Sequence, residues 1–164
     1  MQRDIDLQAS TVTLRTRAKG LLSKLAHDLE IQAEGFDGEV EVQDEEWKAT
    51  LRFPVSSLTV VGALKGDKVD RAILSSSDRA EIERKIREEV LATSEIVATA
   101  EGTDRKGGKV VVKARRGEQS RRVSLTTEER PGGEIVAYGS TDLSLRALGV
   151  DEIKGPLGAF KVDD

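Results

Sequence analysis

The chain has 164 residues, a formal net charge of −4, 37% hydrophobic and 34% charged residues, and no cysteine. This length is typical of a single domain, 1–164, that can bury a substantial core. The absence of cysteine excludes disulfides, zinc–thiolate sites and cysteine nucleophiles, and the negative net charge argues against general nucleic-acid binding.

The chain carries no pattern that directs it into or across a membrane. Its N-terminal segment does not combine a basic start with an apolar run of the length that a secretion signal needs. No apolar stretch approaches the roughly 20 residues of a membrane span, so we expect no stable membrane insertion. The expected compartment is therefore cytoplasmic, or periplasmic or secreted if the natural start lies upstream of Met1.

Alternating apolar and polar residues predict four strands in the first third of the chain. Such alternation is typical of a strand with one buried and one solvated face. The predicted strands cover 10–17, 27–34, 39–43 and 47–53. A short helical turn over about 18–26 separates the first two, and Gly35 and Gly38 predict a turn with positive φ angles after the second. This order favours an antiparallel meander.

One helix is predicted over about 77–91. Its apolar stripe consists of Ile82, Ile86 and Val90, which recur every four residues. Asp78 and Glu81 have the spacing of a capping box at its start. The ion pairs expected on its surface, at i,i+4 spacing, are Glu81–Lys85 and Glu83–Arg87.

Further strands are predicted after the helix. They cover 96–100, 109–115, 121–127, 134–139, 140–148 and 157–162. Many short strands without a βαβ rhythm favour a barrel or a sandwich over an α/β fold. We therefore predict a mainly β protein, an antiparallel β-barrel with one α-helix.

The inward-facing residues of such a barrel are mostly aliphatic and could line a ligand cavity. An eight-stranded barrel is near the size at which side chains either fill the interior or leave room for one small ligand. The candidate ligand-binding residues are His27, Leu29, Ile31, Val42, Leu51, Phe53, Val112, Arg121, Val123 and Leu125. The alternative is that these side chains pack against one another and the barrel is filled.

Two polar candidates in this set have their own alternatives. His27 is the single histidine, and it could orient a polar head group, respond to pH, or tie the helical turn to the barrel. Arg121 shares inward parity with Val123 and Leu125, which places a cation near the barrel end. No metal site is expected, because the chain has no second histidine and no cysteine, and no cofactor is implied.

The segment 105–122 is rich in lysine and arginine and contains one acidic residue, Glu118. This basic hairpin could contact an anionic surface, a phosphate or an acidic partner. It lacks the interleaved aromatic residues on which single-stranded nucleic acids stack, so we expect no nucleic-acid partner. It supports an alternative function, a filled-barrel protein-interaction or stress-response module. The alternative explanation is a charged hairpin whose outer face keeps the protein in solution.

Motifs of catalysis are absent from the sequence. It contains no Gly-x-Ser-x-Gly elbow, P-loop or dinucleotide fingerprint. Its adjacent carboxylates lie in predicted turns or at the end of the chain. We therefore expect that the protein is not an enzyme.

Several short motifs follow one another in a characteristic order. They are Val12-Thr13-Leu14, 25–29 (Leu-Ala-His-Asp-Leu), Gly38-Glu39-Val40, Ile73-Leu74-Ser75, 121–125 (Arg-Arg-Val-Ser-Leu) and 157–162. Together they resemble the YceI-like family of lipocalin-like, polyisoprenoid-binding barrels. The resemblance implies a lipocalin-like barrel that binds or transports an amphiphilic aliphatic or isoprenoid lipid in its interior. The sequence leaves open whether the barrel is hollow and whether two copies form a homodimer.

Overall fold

The computed structural model describes residues 1–17 and 27–149, which form an antiparallel β structure with one long helix. The strands are β1 (Gln2–Arg3), β2 (Val12–Arg15), β3 (Asp28–Ala33), β4 (Asp37–Gln43), β5 (Glu46–Pro54), β6 (Leu58–Lys65), β7 (Lys68–Asp70), β8 (Glu95–Asp104), β9 (Gly107–Ala114), β10 (Gly117–Arg130) and β11 (Glu134–Ser140). The predicted fold class, mainly β with one helix and a lipocalin-like curvature, is confirmed.

The strands form two sheets. The larger has seven strands in the order β1-β4-β5-β8-β9-β10-β11 and curls into a half-barrel. Its curvature brings the first strand to the β10–β11 turn, where Arg3 Nη1 donates a hydrogen bond to the Gly133 carbonyl at 3.0 Å. The smaller sheet has four strands in the order β2-β3-β6-β7.

The chain passes between the two sheets four times, and two of these crossings lie side by side. β5 ends at Pro54, which lacks the N–H that a continuing strand ladder requires, and a 3₁₀ turn over Val55–Ser57 leads into β6. The other crossing leads from β3 to β4, and the Glu34 N–H donates to the Ser57 carbonyl at 3.0 Å. Val55 is only 1% exposed, so the crossing is fixed by the core.

Two sequence predictions on turns and strands are wrong. Gly35 and Gly38 do not have positive φ angles; Gly38 lies within β4, where a Cβ atom would be 2.5 Å from the Thr50 carbonyl oxygen. Only Ser140 of the strand predicted over 140–148 is in a strand, the end of β11, and 145–149 form a turn. In this turn Ser144 Oγ accepts a hydrogen bond from the Ala147 N–H at 3.1 Å, and the Ser144 carbonyl accepts one from the Leu148 N–H. The predicted helical turn, 18–26, and the last predicted strand, 157–162, lie outside the described residues.

The predicted helix is confirmed, with its start one residue earlier. Helix α1 (Ser76–Lys85) continues as a π-helical segment over Ile86–Leu91. The capping box lies one turn before the predicted one: Ser75 Oγ accepts from the Asp78 N–H at 3.0 Å, and Asp78 Oδ2 accepts from the Ser75 N–H at 2.9 Å. A serine therefore caps this helix, as is common.

The charged side chains of α1 make contacts that spacing alone did not predict. Arg84 is the ion-pair partner of both Glu81, at 2.8 Å, and Glu88, at 2.7 Å. Glu83 reaches the smaller sheet, where its Oε1 accepts a hydrogen bond from the Val60 N–H at 2.9 Å. Val60 is 2% exposed, so this bond satisfies a buried backbone donor.

The capping box makes the stability of α1 dependent on pH. The Ser75 N–H, and after it the Ser75 hydroxyl, lower the pKa of the Asp78 carboxyl by hydrogen bonding. A carboxyl whose pKa is lower in the folded state stabilises the fold above its ordinary pKa of about 4, and this effect is lost as pH falls through the folded value.

We therefore expect Ser75→Ala to lower the free energy of unfolding by about 1 kcal/mol at neutral pH. Asp78→Asn should also destabilise at neutral pH, and its difference from the natural protein should shrink in acid. Thermal unfolding followed by circular dichroism measures both, with the exposed Ser77→Ala as the control. If the free energy of unfolding of Asp78→Asn stays below that of the natural protein by the same amount down to about pH 2, the ionised carboxylate does not stabilise the helix.

The main core joins both sheets to the helix. Its buried residues are Ile31, Ala33, Val55, Leu58, Val60 and Leu91. The predicted helix stripe of Ile82, Ile86 and Val90 packs against them, and so do Phe53 of β5 and Ile96 of β8. A second cluster contains Val112, Ala114 and Leu148, with Leu143 packed beside it. The two clusters cover the same end of the larger sheet, because Phe53, Ile96 and Ala114 all lie at that end of their strands.

Candidate functional site

One face of the seven-stranded sheet points into the half-barrel, and we call it the inner face. The pairing registers place these residues on it: Val40, Val42, Trp47, Ala49, Leu51, Phe53, Ile96, Ala98, Ala100, Gly102, Gly108, Val110, Val112, Ala114, Gln119, Arg121, Val123 and Leu125. Phe53, Ile96 and Val112 pack into the two cores, which identifies this face as the inner one.

Part of the inner face is apolar and is not closely packed by residues 1–17 and 27–149. Toward the cores it is well packed, with Val112 and Ala114 both 8% exposed. Toward the β4–β5 and β8–β9 turns its side chains are only half-buried. We call this part the open half, and it consists of Val40, Val42, Trp47, Ala49, Ala100 and Val123. Its side chains are uncharged and belong to four strands, β4, β5, β8 and β10. Gly108 and Val110 of β9 lie between those of β8 and β10, so the surface is continuous.

Trp47, the single tryptophan of the chain, lies across two glycines of the inner face, Gly102 and Gly108. A Cβ atom at Gly102 would be 2.4 Å from Trp47 Nε1, and one at Gly108 would be 2.8 Å from Trp47 Cζ2. The indole Nε1 donates a hydrogen bond to the Asp104 carbonyl at 2.8 Å. The ring thus covers the strand positions that lack side chains, and the two glycines fix it against the sheet.

Arg121 is a charged residue on the inner face of β10. The other inner-face positions of β4, β5, β8 and β9, and those of β10 up to Leu125, are uncharged. Arg121 is exposed, and its Nε donates to the Asp142 carbonyl at 3.2 Å. Within residues 1–17 and 27–149, no carboxylate lies within ion-pair distance of it. Its neighbour on the same face, Gln119, is 6% exposed and accepts a hydrogen bond from the Ser144 N–H at 2.7 Å.

An open concavity of about 1080 Å³ lies near the β4–β5 and β8–β9 turns. It is lined by residues of five strands, chiefly 41–43, 46–48, 101–104, 106–109 and 120–124. These include inner-face residues, among them Val42, Trp47 and Arg121, and charged residues of the opposite face. Its lining comes from both faces of the sheet and does not include Val40, Ala49 or Ala100.

The structure divides the ten predicted ligand residues among different environments. Leu29, Ile31 and Phe53 belong to the main core, and Val112 belongs to the second cluster. Leu51 and Leu125 are half-buried on the inner face, and His27 is exposed just before β3 in the smaller sheet. Val42, Arg121 and Val123 are the ones that line the concavity. Their role in binding stays a prediction.

Four residues of the open half were not among the predicted ligand residues. They are Trp47, Ala49, Ala100 and Val40. The first two have the same parity as Leu51 in one alternating strand, so the period-two pattern already placed them on the same face. Alanine was overlooked because its side chain gives little apolar area, although a small side chain is what leaves space above a sheet.

The basic hairpin, β9 to β10, carries less unpaired positive charge than its sequence indicates. Arg105 lies 3.6 Å from Glu129, and Arg115 donates to the Ala92 carbonyl at 2.9 Å, at the end of the π-helical segment. Lys109 has Glu101 as its neighbour in β8, and Lys113 has Glu118 as its neighbour in β10. Acidic residues and carbonyl groups therefore divide the predicted basic cluster.

Comparison with models of protein families, with curated proteins and with solved structures finds no match for this chain. The resemblance to the YceI-like family therefore stays a prediction. Among the described residues, no helix is long and apolar enough to cross a membrane, and no group of three or more His, Cys, Asp or Glu side chains is placed to hold a metal ion.

Proposed function

We propose that this protein binds an amphiphilic aliphatic ligand, of the isoprenoid or acyl-lipid kind, on the inner face of its half-barrel, without catalysing a reaction on it. The observation that supports this is the open half, a contiguous apolar surface that remains half-buried beside two closely packed cores. Half-buried apolar side chains on a concave face are typical of a ligand site.

The composition of the open half suits a flexible chain better than a rigid polar molecule. Ala49 and Ala100 are paired in adjacent strands, where their small side chains leave space above the sheet, and the Val42–Trp47 pair lies beside them. Burial of an aliphatic chain contributes about 0.8 kcal/mol per CH₂ group. A long tail therefore gains enough to offset the several kcal/mol that association costs, without any directional contact along its length.

Native mass spectrometry of freshly purified protein, followed by organic extraction, tests the proposal. We expect a co-purifying mass of several hundred daltons that extracts as a prenyl or acyl lipid, because a tail held by apolar contact leaves slowly. If the purified protein is empty, added isoprenoid quinone should bind and produce the corresponding mass shift. An empty protein that takes up no added isoprenoid would contradict the proposal.

A second candidate function is a protein-interaction module that acts through the basic hairpin. It is supported by the exposed cations Lys109, Lys113, Arg116 and Arg122 on that hairpin. Their acidic neighbours weaken the support, because Glu101 and Glu118 lie beside two of them in the adjacent strands. The empty result of the mass-spectrometry experiment would favour this candidate over ligand binding.

A further inference from the structure

Arg121 is set apart from the residues around it, because it alone carries a charge at the inner-face positions of the five central strands up to Leu125. From its position beside the open half we infer that the ligand carries an anionic head group, a carboxylate or a phosphate, and that Arg121 binds it. This inference rests on the proposed function and specifies the class of ligand.

The surroundings of Arg121 leave its charge available to a ligand. Its Nε hydrogen bond goes to a neutral carbonyl, that of Asp142, and no carboxylate of the described chain pairs with it. A guanidinium has five N–H donors, and this bond uses one of them. Planar, bidentate contact with carboxylate or phosphate oxygens is the geometry in which arginine binds anions most strongly.

Arg121 is also adjacent to the apolar surface that would hold the tail. Val110 is its cross-strand neighbour in β9, and Val123 follows it on the same face of β10. Val123 and Trp47 line the same concavity as Arg121. A single-chain amphiphile could therefore place its tail over the open half while its head group contacts the guanidinium.

The net charge of the protein is −4, so a preference for an anionic ligand must arise from groups at the site itself. A protein with that net charge repels anions at long range, so general electrostatic attraction would not concentrate an acidic amphiphile. Selection of an anion must come from a cation at the site. The inner face carries two arginines, Arg3 beside Val40 and Arg121, and of these Arg121 is the one that lines the concavity with Trp47 and Val123.

The test compares decanoate with decan-1-ol, two ligands with the same chain length and different head groups, below the concentrations at which they aggregate. Fluorescence of Trp47 reports binding, because the chain has no other tryptophan. We expect Arg121→Gln to weaken decanoate binding about tenfold, the loss of a charge-assisted contact, and to leave decan-1-ol binding unchanged. Arg121→Lys should retain most of the preference for decanoate.

Arg116→Gln is the matched control. It removes the same charge at an exposed arginine of the β9–β10 turn that does not line the concavity, and it should leave the binding of both ligands unchanged. Decyl phosphate in place of decanoate shows whether a phosphate head group is preferred to a carboxylate. Raised salt should weaken binding of both acids and not of the alcohol, which tests the inference even if Arg121→Gln does not fold.

The outcomes separate this inference from the proposed function. If both ligands bind but Arg121→Gln leaves decanoate unaffected, or weakens both equally, the inference is overturned and the proposed function stands. If decan-1-ol and decanoate bind the natural protein with equal affinity at low salt, the inference is likewise overturned. If neither ligand binds, the proposed function fails, and the inference fails with it.

Discussion

Ile31→Ala is expected to lower the free energy of unfolding by about 3 kcal/mol, the largest stability effect that we predict for this protein. Ile31 is 6% exposed and belongs to the core that joins both sheets to the helix. Removal of a buried isoleucine loses the transfer free energy of its methyl and methylene groups and leaves a cavity, which together cost about 2–5 kcal/mol. Urea unfolding followed by circular dichroism measures the change.

Leu14→Ala is the control for this prediction. Leu14 is the cross-strand partner of Ile31 in β2, but it is 38% exposed, so its truncation should cost less than about 1 kcal/mol. Equal effects of the two substitutions would contradict the assignment of Ile31 to a closed core. A small effect of Ile31→Ala, accompanied by loss of ligand binding, would instead return Ile31 to the candidate ligand residues.

Ala100→Phe is expected to weaken ligand binding to the open half strongly, with little effect on stability. Ala100 lies between Ala49 of β5 and Val110 of β9 on the inner face, where a phenyl ring would occupy the space proposed for the ligand tail. Because Ala100 is half-buried, the ring can extend over the sheet without entering a packed core. We expect affinity for decan-1-ol to fall by more than about tenfold.

Thr99→Phe provides the matched control for Ala100→Phe. Thr99 is the preceding residue of β8, is exposed and points to the opposite face, so a ring there should leave ligand affinity unchanged. Thermal unfolding of both variants shows whether either ring disturbs the fold. Undiminished binding by a folded Ala100→Phe protein would show that the ligand does not occupy the open half.

Alternation predicted most of the strands that have one solvated face, and it missed the short strands β1 and β7 and the more buried β6. β4 and β5 follow the period-two pattern closely, and both were predicted almost to their ends. β6, with the sequence LTVVGALK, lies between β3, β7 and the helix, so apolar residues point to both of its faces and no alternation remains. The sequence signal disappears where burial becomes two-sided.

The helix start shows a similar limit. Asp78 and Glu81 have the right spacing for a capping box, and so do Ser75 and Asp78 one turn earlier. Spacing alone does not choose between them, and the structure places the capping box at Ser75 and Asp78.

For the candidate site, the sequence indicates which residues of a strand share a face, but it does not indicate which strands belong to the same sheet. Parity within β10 is enough to place Arg121 with Val123 and Leu125. It could not show that Leu29 and Ile31 belong to the smaller sheet, because that depends on the break between β3 and β4. Strand pairing between residues far apart in sequence is therefore the information that only the structure supplied.

The central pairing of the larger sheet, β5 with β8, has a consequence for how the chain folds. The β4–β5 hairpin and the β8 to β11 meander are each built from sequential neighbours, but β5 and β8 are separated by the whole segment 55–94. Closing that long loop carries an entropic cost before any pairing compensates for it. The two halves of the sheet should therefore form early and join late. Until they join, β5 and β8 expose unpaired edges, and during that interval molecules can associate with one another instead of folding.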